Sequence, residues 1–186
     1  MAVVERRMTA EDYFKLPETN TPMQLIDGEL MMAPAPIPIH QRIIRRTYDV
    51  INPLFIGGEV FFSPTDVYLD DFNITQPDLL WISSDGNCIV TDKGLRGAPD
   101  WVLEVLSPGT AKQDRTKKYR LYEKYGVREY WIADALEEYI EVWTLVDGAF
   151  KYIGAYGTGE TFDSPLLGKT VDVTAIFPPN ETTIPE

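Results

Sequence analysis

Cysteine is almost absent from this 186-residue chain. Cys88 stands alone, which excludes a disulfide framework or a thiolate zinc site built within one chain. No apolar run approaches the length of a membrane span, and the opening Met1-Ala2-Val3-Val4-Glu5-Arg6-Arg7 lacks the apolar core of a signal peptide. A reducing cytoplasm, with no membrane, is the expected setting. Positive charge is also scarce: 17 Lys and Arg stand against 29 Asp and Glu, a net charge of −12. That balance argues against non-specific nucleic-acid binding, because phosphate contacts need cations.

The 44% hydrophobic and 25% charged content is that of an ordinary globular protein. The length suits a single domain spanning residues 1–186, with its core over about 8–160 and a tail over about 175–186. The few cations are concentrated. Lys112, Arg115, Lys117, Lys118, Arg120, Lys124 and Arg128 face only Asp114 and Glu123, so this segment is net +5 and the remainder −17. A solvated helix face is the plain explanation. A basic face in an acidic protein also suits a polyanion.

The pattern of residues predicts a short helix from Thr9, as N-cap, to Leu16, with Asp12 three positions on and Pro17 beyond. Gln24 to Met32 reads as a strand bent or paired at Asp27-Gly28. Pro34, Pro36 and Pro38 form a stiff connector, with Pro38 suited to a helix's first turn. Helical spacing of apolar residues then runs from Ile39 to Leu54, with His40 near the inward stripe and Arg42, Arg45 and Asp49 away from it. Strands are expected over Glu59–Leu69, Asp78–Ile82 and Trp101–Leu106, the last covered on both faces. Thr110 with Gln113 reads as a capping box opening a helix over Ala111–Tyr125, stopped by Gly126. Glu129–Ala133 is a further strand, and Tyr139–Leu145 and Ala149–Ala155 form a hairpin across Asp147-Gly148. Pro178, Pro179 and Pro185 mark a partly ordered tail. The order predicts a mixed α/β (α+β) layer fold rather than a doubly wound one.

Two Pro-Asp dipeptides compete as partners for Glu104. Asp100 and Glu104 fall on one strand and one face, about 13 Å apart at the strand rise, too far to share a small cation. Asp78 and Glu104 lie on different predicted strands that can be spatial neighbours. Carboxylates brought together need a cation or a proton to relieve their repulsion, and carboxylate oxygens are ligands that Mg²⁺ prefers. The plainer alternative leaves Asp78 in a turn and Glu104 paired with an Arg.

A lysine two positions after the second acid would bring a cation to the pair, but Leu106 holds that place. The next helix offers a substitute. At about 100° per residue, Ala111, Asp114, Lys118, Leu121, Tyr122 and Tyr125 share a stripe about 80° wide. Lys118 lies near its centre, Lys117 about 100° away, and Lys112, Arg120 and Lys124 on the far side. A lysine on a core-facing stripe needs a partner. Asp114 one turn earlier, as a simple helix pair, or the Asp78–Glu104 pair would serve, and so would snorkelling of a lone Lys.

These residues carry a family resemblance. Gln76-Pro77-Asp78, Ala98-Pro99-Asp100-Trp101-Val102-Leu103-Glu104-Val105-Leu106-Ser107-Pro108-Gly109-Thr110, Asp114-Arg115, Lys118, Tyr122, Gly126-Val127, Glu129-Tyr130-Trp131 and Asp134 closely resemble the Uma2 family of restriction-endonuclease-like proteins. Leu25-Ile26-Asp27-Gly28-Glu29-Leu30 and His40 extend the match to roughly residues 8–160. The resemblance implies a restriction-endonuclease-like PD-(D/E)xK fold, with a central mixed sheet flanked by helices and extra β-hairpins. It implies a divalent-metal site (Mg²⁺ or Mn²⁺) built by Asp78 and Glu104, with the lysine moved to the next helix at Lys118. Glu29 would be a further metal ligand, and His40 a phosphate contact or proton-transfer aid. Gln24 departs from the family, whose members often carry Glu there.

The expected function is a metal-dependent endonuclease hydrolysing DNA phosphodiester bonds. Asp78, Glu104 and Lys118 would be catalytic, His40 and Asp114 auxiliary, and Lys112, Arg115 and Arg120 would bind flanking phosphates. A homodimer would let two sites cut two strands. The competing readings are a catalytically inactive binding or assembly module, motivated by the charge of −12, and a structure-specific or RNA nuclease.

Overall fold

Thr9 opens the chain's first regular element as expected. Its hydroxyl accepts from Asp12 N–H, and the Asp12 carboxylate accepts from Thr9 N–H in return. That capping box fixes the short helix α1 (Ala10–Tyr13), which ends before Leu16. The computed structural model describes residues 7–17, 19, 21–32 and 36–177. The Pro34 part of the connector and the tail from 178 onward lie outside the described residues.

Strands β1 (Met23–Ile26) and β2 (Glu29–Met32) form a hairpin across Asp27-Gly28, both in the left-handed conformation that such a two-residue turn requires. Helix α2 (Pro38–Ile51) carries Pro38 in its first turn, where a missing N–H costs nothing. A 3₁₀ turn, Asn52–Leu54, continues it. Ile43, Ile44 and Ile51 face inward, while Arg45 and Asp49 pair on the outside.

The strand expected over Glu59–Leu69 is two. Strand β3 (Glu59–Phe62) and strand β4 (Val67–Asp70) are separated by Ser63-Pro64-Thr65-Asp66 and enter different sheets. Proline cannot donate to a ladder, so a strand does not continue through Pro64. Strands β5 (Asn73–Thr75), β6 (Leu79–Ile82), β7 (Ile89–Thr91), β8 (Gly94–Arg96) and β9 (Trp101–Val105) follow.

Helix α3, over residues 111–125, has a π-helical middle at Asp114–Lys118 and ends at Gly126 with φ of 88°. The Thr110 capping box is absent. Thr110 is already near-helical (φ −112°, ψ −20°), and its hydroxyl lies 3.0 Å from Ser107 Oγ. An N-cap needs extended backbone.

Strands β10 (Glu129–Asp134), β11 (Tyr139–Val146) and β12 (Ala149–Gly157) complete the predicted set. A hairpin of β13 (Thr161–Ser164) and β14 (Lys169–Asp172), with a 3₁₀ turn at Val173–Ala175, comes after them. The start of the expected tail is therefore core: Ile176 and Phe177 are buried.

The central sheet runs β12-β11-β10-β9-β6-β3 and is mixed, with β9 and β10 parallel and the other neighbours antiparallel. Alternation sends Leu79, Trp81, Trp101, Leu103, Val105 and Trp131 to one face, against α2 and the β14 end of the chain. Leu80, Val102, Tyr130 and Ile132 go to the other, against Tyr122 of α3. Trp101 and Trp131 are fully buried and meet edge to face, a contact worth about 1 kcal/mol beyond burial. A second sheet, β2-β1-β5-β4-β8-β7, joins the expected β1–β2 hairpin to β4 through the short strands β5, β7 and β8, which the sequence pattern does not mark. No helix among the described residues is long and apolar enough to cross a membrane.

Candidate active site

The β6–β9 register explains why one aspartate meets Glu104 and the other does not. Leu79 pairs with Leu103, Leu80 with Val102 and Trp81 with Trp101. One step beyond Leu79, Asp78 stands opposite Glu104, at the spacing where cross-strand side chains interact. Asp78 Oδ2 accepts from Val105 N–H at 2.7 Å and lies 3.3 Å from His40 Nε2 on α2. Asp100 is at the opposite end of β9. Its Oδ2 accepts from Ser83 N–H at 2.8 Å, and its Oδ1 lies 3.3 Å from Arg128 Nη1.

Glu104 points to the α3 face, where the predicted stripe meets it. Lys118 Nζ lies 2.7 Å from Glu104 Oε2 and 3.1 Å from Asp114 Oδ1, and all three side chains are at most 3% exposed. Tyr122, four residues after Lys118, donates its hydroxyl to Glu104 Oε1 at 2.7 Å. The stripe had contained Tyr122 without a role, and its spacing from Lys118 was the signal for one. The Val105 N–H donated to Asp78 is a backbone group that no side-chain pattern marks.

The charges do not balance. Burial pushes the Glu104 carboxyl up to about 8, aided by the Asp114 and Asp78 charges and opposed by Lys118. Burial alone would discharge Lys118, but Asp114, Glu104 and Asp78 together hold it charged. The two directions agree once the ammonium is seen as shared: one cation is well compensated, whereas each acid is not. Burial also disfavours charge on His40, yet Asp78, helped by the Val105 backbone and the Asp114 charge, outweighs this and raises its pKa.

Neither carboxylate oxygen of Asp114 makes a hydrogen bond. A buried acid without donors is costly. Asp78 and Glu104, facing each other with hard carboxylate oxygens, are of the ligand type a divalent cation takes. Among the described residues no three His, Cys, Asp or Glu side chains form a ready metal cage. Mg²⁺ does not require one, since it commonly takes one or two carboxylates with water and substrate phosphate.

Other sequence candidates stand apart. Glu29 is 67% exposed on β2, with Lys117 Nζ 2.7 Å from its Oε2, and does not join Asp78 and Glu104. Arg115 is taken up by Glu141 at 2.5 Å and Tyr139 at 3.0 Å. Lys112 and Arg120 are exposed on the outer face of α3. A cavity of about 260 Å³, lined by Gln24, Glu29, Met31, Thr110, Gln113 and Lys118, leads to the lysine.

A solved structure from Anabaena variabilis ATCC 29413, described as "a putative nuclease belonging to DUF820", is similar over 91% of this chain and 97% of that one. Its TM-score is 0.72 at 21% sequence identity, so the likeness is one of fold. No curated protein matches the chain. The mixed α/β architecture is restriction-endonuclease-like. The family model described as "Putative restriction endonuclease" matches residues 10–174, and the chain belongs to that family, Uma2.

Proposed function

We propose that this protein is a divalent-metal-dependent endonuclease hydrolysing DNA phosphodiester bonds. The observation that supports the reading best is the meeting of Glu104 of β9 with Lys118 of α3, beside Asp78 at the entrance to β6. Asp78 and Glu104 hold Mg²⁺ or Mn²⁺. The bound ion supplies charge to a phosphoryl oxygen and a more acidic water. Lys118 places its ammonium against the attacked phosphate and offsets the charge that develops there. His40 orients Asp78 through the 3.3 Å contact. Lys112 and Arg120 meet flanking phosphates, whereas Arg115 serves chiefly to tie α3 to β11.

Supercoiled plasmid incubated with Mg²⁺ or Mn²⁺ tests the reading. Nicking or linearisation is expected, and Asp78→Ala and Lys118→Ala should each abolish it. Equal activity in those variants would assign the cutting to a contaminant or another site.

A second reading, a non-catalytic binding module, is favoured by one observation. Both Glu104 oxygens are already engaged, by Tyr122 and Lys118. Absence of Mn²⁺ binding at millimolar concentration in calorimetry would select it.

A further inference from the structure

One ammonium serves two buried carboxylates unequally. Lys118 Nζ is 2.7 Å from Glu104 Oε2, but its 3.1 Å approach to Asp114 Oδ1 makes no hydrogen bond. Asp114 Oδ2 has no partner either, although the side chain is only 1% exposed. A buried carboxylate that accepts no hydrogen bond and shares its one cation with another acid is destabilising in this state. Its backbone is fixed nonetheless. The Asp114 carbonyl accepts from Tyr119 N–H, closing the π-turn, and from Tyr130 Oη–H at 3.2 Å.

Glu104 has one oxygen to offer a metal. Tyr122 takes Oε1, and Oε2 is where the Lys118 ammonium sits. An ammonium and a divalent cation repel each other strongly in a low-dielectric interior. They cannot comfortably share that oxygen.

We infer that Asp114 is a positioning residue that receives Lys118 when Glu104 turns to a divalent cation, so that lysine and cation exchange places on Glu104. This rests on the proposed metal-holding role of Asp78 and Glu104. The exchange gives the orphaned Asp114 oxygens their hydrogen bonds and keeps the lysine beside the site. A lysine in the usual place, two residues after Glu104 on the same strand, would have no such neighbour one helical turn away.

Mn²⁺ titration calorimetry on wild type, Asp114→Asn, Lys118→Gln and the double variant tests the exchange, with circular dichroism confirming that each is folded. Lys118→Gln removes the competitor and should bind about tenfold tighter. Asp114→Asn removes the refuge and should bind about fivefold weaker. In the Lys118→Gln background, Asp114→Asn should change little. Equal weakening in both backgrounds would make Asp114 a direct ligand and overturn the inference, as would unchanged affinity in Lys118→Gln. Binding by no protein, wild type included, would defeat the metal reading as well. Should Lys118→Gln not fold, the Lys118 ¹⁵Nζ resonance of wild type decides. It should move in step with Mg²⁺ saturation, and an unmoved resonance at saturation overturns the exchange.

Discussion

His40 Nε2 and the Val105 N–H converge on the same oxygen, Asp78 Oδ2, at 3.3 and 2.7 Å. The imidazole thus shares its acid with the strand that carries Glu104. His40 is the chain's single histidine, so its ring protons give one unambiguous NMR titration. The midpoint should lie above the usual 6.5 in wild type, because Asp78, with the Val105 backbone and Asp114, outweighs burial. Asp78→Asn should lower it. A midpoint unmoved by that change would detach His40 from the site.

Metal-free protein should lose stability as pH rises from the ordinary carboxylate range to about 8. Over that window the folded chain keeps the Glu104 proton that the unfolded chain has released, so the unfolded state is favoured by rising pH. Lys118 stays charged throughout, its pKa being raised. Urea unfolding in EDTA, at pH 5 and pH 8, should show wild type losing on the order of 2 kcal/mol more than Glu104→Gln. Parallel curves for the two proteins would refute the assignment.

Asp100→Ala should cost about 2 kcal/mol, since it leaves the buried Ser83 N–H without its acceptor. Mn²⁺ affinity and plasmid nicking should be unchanged. A loss of metal binding in the folded variant would return Asp100 to the site.

Glu129 accepts from Trp131 Nε1 at 2.7 Å, Ser164 Oγ at 2.7 Å and Leu166 N–H at 3.0 Å. It ties the β13–β14 hairpin to the central sheet. Glu129→Ala should cost about 3 kcal/mol by stranding those donors. Hydrogen exchange should quicken at Phe162 and Val171 while the Lys118 region stays protected. Uniform loss of protection would instead indicate global unfolding.

The α3 stripe was legible because it needs only local phase: Asp114, Lys118, Leu121 and Tyr122 are the buried residues of the helix. Asp78 and Asp100 were separable by strand rise, and the β6–β9 register supplied the missing proximity. Glu29 was not legible. Its partner Lys117 is 88 residues away, and only the placement of the β1–β2 hairpin brings them together. The second sheet escaped for a related reason. Strands β5, β7 and β8 have three residues each, too few for alternation to emerge, and they are held by pairing rather than propensity. Thr110 misled because a capping box is a statement about backbone angle as well as residue type.

The buried residues beyond β12 set where the chain can be divided. Phe162, Val171, Val173, Ile176 and Phe177 cover the α2 face of the sheet, behind the strands that carry Asp78 and Glu104. The motifs that carry the resemblance end before residue 160, whereas the family match runs to residue 174, and a fragment cut at 160 would expose Trp131 and its neighbours to water. Such a fragment would keep every acid of the site and lose the wall against which their strands are braced.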